Sequence, residues 1–427
     1  MNQIYDYVII GGGIGGLYFS YEILKKYPNA KIIILESAGR MGGRVLTHHM
    51  TYHETELSFE EGAGVISTTH NHMLKLVEEL ELSDKLIKMN SPTNMFITDK
   101  GSKNMETTEI FNVLLKKIQQ DMNQRSDKIV VDELIGLNLF NLMKKYLGLG
   151  KATQYSDEYM YNDILYLSNS IDAIRFLSYD IYNKGFFLLN GGMDQIISRL
   201  ITKLDNKVII SMNSHVEFVN HTDKYFDIGI SNGTIYRCIN VMLACPKLAI
   251  NNISINGITN SQQTLLYKLI HSVIESPLIR VYCKFPKNNK NEIWFKDLHK
   301  FTVKPPIKYF IPINYEKGLA MISYTDTINA QILWAKYKRN ELKQYILDFY
   351  RGLFPDIHIP DIEIFYVCYY DAGVHYWASN HMGKKYYSQV QKPFDDMNLY
   401  ILGEAYSMRQ TWCEGALESV SDIIKSL

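Results

Sequence analysis

The stretch Tyr5 to Arg44, YDYVIIGGGIGGLYFSYEILKKYPNAKIIILESAGRMGGR, constrains this chain more than any other. Val8, Ile9 and Ile10 form a β-branched apolar run suited to a buried parallel strand. Gly11, Gly13 and Gly16 follow at G-x-G-x-x-G spacing, with Gly15 inside the motif. The first glycine permits a tight turn. The second lets backbone approach a pyrophosphate, and the third lets the next helix pack closely on the strand. The helix expected over Gly15 to Lys26 aims its N-terminal N–H groups at phosphate. A second apolar run, Ile32 to Leu35, ends at Glu36, twenty residues beyond Gly16. A carboxylate there accepts hydrogen bonds from ribose hydroxyls and repels a 2′-phosphate. The glycines alone would also fit a turn in an unrelated α/β protein. With the strand, the helix and the acid in place, they predict a dinucleotide site.

The remaining composition narrows the setting. The 427 residues suffice for two domains with a large core. Lys+Arg and Asp+Glu are both 45, so nothing points to nucleic acid or an acidic membrane surface as a partner. The first apolar run is the strand itself, so no signal peptide is expected, and no apolar stretch is long enough to span a bilayer. The five cysteines, Cys238, Cys245, Cys283, Cys368 and Cys413, form no C-x-x-C pair. They read as reduced thiols of an intracellular, cytoplasmic protein, with no metal site expected.

Further along, LSFEEGAGVIS from Leu57 suggests a strand and turn. Gly62, Ala63 and Gly64 are small enough for backbone to lie against a flat ring, although a surface turn fits as well. From His72 to about Asn183 apolar residues recur every three or four positions, as in amphipathic helices. Tyr155, Tyr159, Tyr161 and Tyr166 fit core packing better than a pocket wall. Gly191-Gly192 predicts a turn before a helix with Ile196, Ile197, Leu200 and Leu204 on its apolar side. Asn232-Gly233 predicts a hairpin. Between Leu278 and Ile364, LIRVYCKF, EIWF, IKYFIPI, LAMISYT and IEIFYVCYY read as strands, interrupted by one helix near Glu341 to Phe354. LYILGE then suggests a last strand ending at Gly403 and Glu404, and TWCEGALESV opens a helix. A helix N-terminus there offers free N–H groups and partial positive charge.

Taken together, GxGxxG…E, GRMGGRV, FEEGAG, VMLACP and GEAYSMRQTWCEGALES resemble the FAD-dependent amine oxidase superfamily, which includes monoamine, polyamine and L-amino-acid oxidases. The resemblance is strong over about a quarter of the chain, at its two ends, and departs at Thr411 and Val420. It implies an α/β fold: a Rossmann-like FAD-binding domain assembled from separated segments, and an α+β substrate domain with a mixed sheet and helices. The boundaries expected are 1–85, 186–265 and 390–427 for the first, and 86–185 and 266–389 for the second. It implies cofactor contacts from Gly43 and Arg44 near the phosphates, from Gly62 to Gly64 near the ring, and from Val216 at the adenine. Gly403, Glu404, Thr411 and Trp412 complete that set. The implied reaction is hydride removal from the C–N bond of a small amine, with O2 regenerating the flavin and giving H2O2.

Three positions are expected near the ring. Trp412 falls at one wall of the family's aromatic cage, where a flat ring attracts an amine. In YYDAGVHYW, His375 or Tyr376 falls at the other wall, although a histidine satisfied by local hydrogen bonds fits about as well. Val374 stands where monoamine oxidases carry a flavin-linking cysteine, which implies noncovalent FAD. Arg280 matches the lysine that holds a water at the flavin, and would bind a water or a substrate carboxylate instead. Lys284 lies about 13 Å further along the strand. Competing readings keep the fold and change the chemistry: an L-amino-acid oxidase, a desaturase, a nucleotide-sugar mutase, or a flavoprotein without turnover. A nicotinamide-dependent reductase is disfavoured because no second fingerprint follows.

Overall fold

The computed structural model describes residues 3–89, 95–181 and 185–427. The opening stretch folds as strand Ile4–Ile10, helix Ile14–Lys26 and strand Ile32–Leu35. The two strands pair in parallel, flanked by Val208–Ser211 on one side and Ile235–Leu243 on the other, also parallel. Leu399–Ile401 lies parallel beside the end of Ile235–Leu243. Tyr225–Ile230 and Val216–Thr222 then add antiparallel strands, and Ser254–Asn256 closes the edge. Gly233 sits at the predicted hairpin turn with φ +85° and donates its N–H to the Ile230 carbonyl at 2.9 Å.

Both faces of this sheet are covered, which explains the unbroken apolar runs. Tyr7, Ile9, Ile32 and Ile34 face helices Ile14–Lys26, Asp194–Leu204 and Cys413–Ser426. Val8, Ile10, Ile33 and Leu35 face Leu266, Leu269, Trp377 and Val390. The helix after Gly191-Gly192 buries Ile196, Ile197, Leu200 and Leu204, as its spacing predicts.

A second, mixed sheet runs Ile364–Trp377, Val273–Lys284, Leu319–Asp326, Tyr309–Asn314, Phe301–Thr302, Met95–Thr98, Gly101–Asn104. Its pairings are antiparallel except that Phe301–Thr302 lies parallel to Met95–Thr98. Ile279, Val281 and Cys283 pack under helices Thr327–Lys338 and Leu342–Leu353. On the other face, Tyr282 and Cys368 meet Phe59 of the hairpin Thr47–Tyr52 and Thr55–Glu60. A helical layer from Thr107 to residue 181 has its own core, which includes Tyr376.

The region after His72 is mostly helical, as its spacing predicts, but Leu86–Lys88, Met95–Thr98 and Gly101–Asn104 are strands within it. Its expected end near Asn183 lies outside the described residues. EIWF is not a strand: Trp294 and Phe295 sit in a turn, held in an aromatic cluster with Phe285 and Phe310. The helix expected near Glu341 to Phe354 forms as Leu342–Leu353, and a further helix, Thr327–Lys338, precedes it across Asn340, where φ is +59°. Among the described residues no helix is long and apolar enough to cross a membrane.

Candidate functional site

The glycine turn has the shape its spacing predicts. A Cβ on Gly16 would run into the Gly11 carbonyl, so the helix rests directly on the strand. A Cβ on Gly13 would meet nothing within 4 Å, so this turn is open on one side. No side chain caps the helix after Gly13, and no acid occupies its first turn. Its N-terminal N–H groups and partial positive charge are thus available to an anion. Glu36 stands beside the turn and accepts the N–H groups of Gly12 at 2.7 Å and Ala38 at 2.8 Å. Val216 begins a strand two residues after Ser214, whose N–H donates to the Glu36 carbonyl at 2.8 Å.

The remaining cofactor candidates close around this turn. Gly42 donates to the Gly12 carbonyl at 2.8 Å, which sets Gly43 against Gly13. Ala63 donates to the Arg44 carbonyl at 3.0 Å, and Gly62 packs on the same carbonyl so closely that it has no room for a side chain. Gly15 abuts Gly403, which has φ +118° and open space where a Cβ would stand. Ser419 of the C-terminal helix accepts the Gly403 N–H at 2.9 Å. That helix, Cys413–Ser426, also begins without a side-chain cap. The carboxylate of Glu414 in its first turn is directed instead at the N–H groups of His72 and Met73, at 2.9 and 2.8 Å, where it caps helix Asn71–Glu79.

Glu404 is the junction of the set. Its Oε2 accepts Arg44 Nη1 at 2.7 Å and His375 Nδ1 at 3.0 Å. Its Oε1 accepts the backbone N–H groups of His375 at 3.1 Å and Thr411 at 2.7 Å. Burial works to raise this carboxyl, but the charge of Arg44, then His375 and the Thr411 N–H, hold it well below the usual range. Because the carboxylate only accepts, His375 Nδ1 carries the hydrogen. Arg44 also donates to the Gly373 carbonyl at 2.9 Å.

Trp412 and the pair His375 and Tyr376 lie in different surroundings. Trp412 precedes the C-terminal helix, edge-on to His70 with centroids 4.8 Å apart and near-parallel to Phe186 at 6.0 Å. It lines a cavity with Ser67, Thr69, His70, Phe176 and Arg409. His375 and Tyr376 do not form the opposite wall. Both are enclosed, His375 against Glu404 and Tyr376 with its hydroxyl donating to Asp163 at 2.9 Å. His70 escaped the sequence reading. Burial and then the charge of Arg409 push its pKa down to about 3, so it is neutral. Its Nδ1 accepts the Ser67 N–H at 3.1 Å, leaving the hydrogen on Nε2.

Arg280 is held through its two terminal nitrogens, while its buried Nε has no hydrogen-bond partner among the described residues. Nη1 donates to the carbonyls of Glu60, at 2.9 Å, and Gly62, and Nη2 donates to the Tyr324 hydroxyl at 3.2 Å. The guanidinium also lies over the Tyr324 ring at 4.5 Å. Arg280 thus clamps the backbone that leads into Gly62–Gly64. Tyr324, directly across the sheet from Arg280, is a neighbour that the sequence reading missed. Lys284 is remote from it and pairs with Glu363. Arg280 and Trp412 therefore touch the two ends of one segment, Glu60 to His70.

A family model for flavin-containing amine oxidoreductases matches residues 14–419. The chain belongs to that family. By that membership its cofactor is FAD. It is 22% identical to the bovine (Bos taurus) flavin-containing amine oxidase A, over 57% of this chain and 50% of that protein. The chain thus spans about half the length of that relative. It is 20% identical to the flavin-dependent L-tryptophan oxidase RebO of Lentzea aerocolonigenes, over 98% of this chain and 97% of the other. A structure of putrescine oxidase bound to putrescine superposes over all of both chains with a TM-score of 0.76 at 14% identity, which shows the shared mixed α/β fold.

Proposed function

We propose that this flavoenzyme oxidises the C–N bond of a small amine, a monoamine or polyamine, with O2 as the electron acceptor. The carrying observation is the junction at Glu404, which ties Arg44, Gly373, His375 and Thr411 into one frame beside the open face of Gly13. These residues fit FAD: an open glycine turn and uncapped helix for the pyrophosphate, Glu36 for the ribose, Val216 for the adenine. Gly43 and Arg44 add to the phosphate side, and Gly62, Ala63 and Gly64 offer flat backbone to the ring. The N-terminus of Cys413–Ser426 supplies partial positive charge for the reduced ring. In this reading the FAD-binding domain is Rossmann-like and assembled from 1–85, 186–265 and 390–427, and 86–185 and 266–389 form the substrate domain. Val374 offers no thiol, so the cofactor is held noncovalently.

A bound FAD would supply the acceptor for a hydride from the carbon beside the amine nitrogen, leaving an imine as the nitrogen loses a proton, and O2 would take up those electrons with two protons as H2O2. The chain's part is to bind and orient. Trp412 offers a ring face to the amine. Neutral His70 beside it adds no positive charge to repel an ammonium. Nη1 of Arg280 is taken by the Glu60 and Gly62 carbonyls and Nη2 is tied to Tyr324, which restrains the guanidinium as a partner for a substrate carboxylate. The likeness to a putrescine-bound oxidase supports an amine as the substrate. The test is a peroxide assay of the purified yellow protein with monoamines, polyamines, acetylated polyamines and L-amino acids. Turnover of an amine is expected. Bound FAD without turnover of any of them would overturn the reading.

A further inference from the structure

One buried cluster of ionisable groups has no part in the roles above. Asp163 opens the short helix Asp163–Tyr166, and Asp326 ends strand Leu319–Asp326 of the second sheet. Both are enclosed and adjacent, with the Asp163 N–H directed at Asp326 Oδ2 at 3.4 Å. Two buried carboxyl groups side by side do not both ionise, so one of them carries a proton. Asp326 also accepts the Asn162 N–H at 3.0 and 3.1 Å from its two oxygens, and Asp163 accepts the Ile164 N–H at 2.8 Å and the Tyr376 hydroxyl at 2.9 Å. Lys308 is buried nearby, donating to the carbonyls of Ser156, Asp157 and Tyr159 at 2.5, 3.2 and 2.9 Å. With Asp163 protonated, Asp326 anionic and Lys308 cationic, the cluster is neutral, the arrangement that burial demands.

We propose that the Asp163–Asp326 pair is a pH-sensitive latch, in which one shared proton holds residues 159–166 on the second sheet and its loss releases them. The segment joins the helical layer to that sheet. It also carries Tyr161, whose ring stands edge-on to Tyr324 at 5.4 Å, on the residue that Arg280 contacts. Release would therefore loosen one side of the Arg280 clamp.

The sign follows from linkage. Burial, then the neighbouring Asp326, raise the Asp163 carboxyl well above its ordinary 3.8. The hold is complete below about pH 3.8 and weakens as pH rises towards the folded-state value. Across that window the opening constant rises about tenfold per pH unit, since the released acid gives up a proton that the latch retains. The groups facing the pair act at higher pH. Lys308 is lowered to about 8 by burial, against the pull of Asp326 and Asp157, and above that pH its linkage favours the closed state. Tyr376 is raised well above 10 by burial and then Asp163.

The experiment is hydrogen–deuterium exchange on the FAD-loaded full chain at several pH values between about 5 and 7.5, corrected for the intrinsic rate. Amides 159–166 of the wild type should lose protection by up to about tenfold per pH unit. In Asp163→Asn the side-chain amide can donate to Asp326 with no proton to lose, so protection should be flat. A flat wild-type profile, or the same slope in the variant, overturns the proposal. If Asp163→Asn does not fold, the wild-type profile decides.

Discussion

Glu404→Ala tests whether the frame around the glycine turn depends on one carboxylate. The substitution deprives three donors of their acceptor: the backbone N–H and Nδ1–H of His375, and the N–H of Thr411. It also leaves Arg44 without its counter-ion at 2.7 Å. A buried donor left unpaired costs roughly 1–3 kcal/mol, and breaking a buried ion pair from one side costs roughly 3–5 kcal/mol. These describe overlapping losses, so the expected destabilisation is about 3–5 kcal/mol, not their sum. Glu404→Gln keeps the shape and one acceptor oxygen and should lose about 1–3 kcal/mol. Urea unfolding of the FAD-free protein, followed by tryptophan fluorescence, reads both. A pH series adds a second check. The Glu404 carboxyl lies below its ordinary 4.5 in the folded state, so its contribution is present above about pH 4.5 and is lost as pH falls further. The gap between wild type and Glu404→Gln should therefore narrow on acidification. An alanine variant within about 1 kcal/mol of wild type, or a gap that ignores pH, would refute the reasoning.

Two glycines in one motif should behave in opposite ways. Gly13→Ala has free space and should leave stability intact while weakening FAD retention roughly tenfold or more, read by equilibrium dialysis; Gly16→Ala drives a methyl into the Gly11 carbonyl and should destabilise the fold itself in urea. Arg280→Lys cannot bridge two carbonyls and the Tyr324 hydroxyl, and should cost about 2–3 kcal/mol; unchanged unfolding would show that the clamp carries no stability. Trp412→Ala should slow amine turnover roughly tenfold or more with FAD content unchanged, and loss of the flavin would recast Trp412 as packing between His70 and Phe186.

What could be read from the chain depended on how far apart the interacting residues lie. The glycine turn is a local object. Gly11, Gly13, Gly16 and Glu36 sit within one strand–helix–strand unit, whose apolar alternation places Ile9 on one face of the sheet and Val8 on the other. The C-terminal helix was equally legible, since Ala416, Leu417, Val420 and Ile423 are buried at helical spacing. The short strands Met95–Thr98 and Gly101–Asn104 were not. The second is exposed throughout and has no apolar alternation; its pairing with Met95–Thr98 establishes it. EIWF failed for the opposite reason, because its apolar residues are buried as a turn among aromatic rings. The site split along the same line. Glu404 was visible as a motif residue, but its partner Arg44 is 360 positions away. Arg280 was visible as a substitution, yet its role is set by carbonyls 220 and 218 positions back and by Tyr324 across the sheet. A motif names the residue type that a place requires, whereas hydrogen bonds over such separations decide which of its atoms remain available to a ligand. For His375 the tie to Glu404 leaves a buried ring where the pattern suggested a wall, and for Arg280 two backbone carbonyls take Nη1, which makes the guanidinium a clamp on the chain.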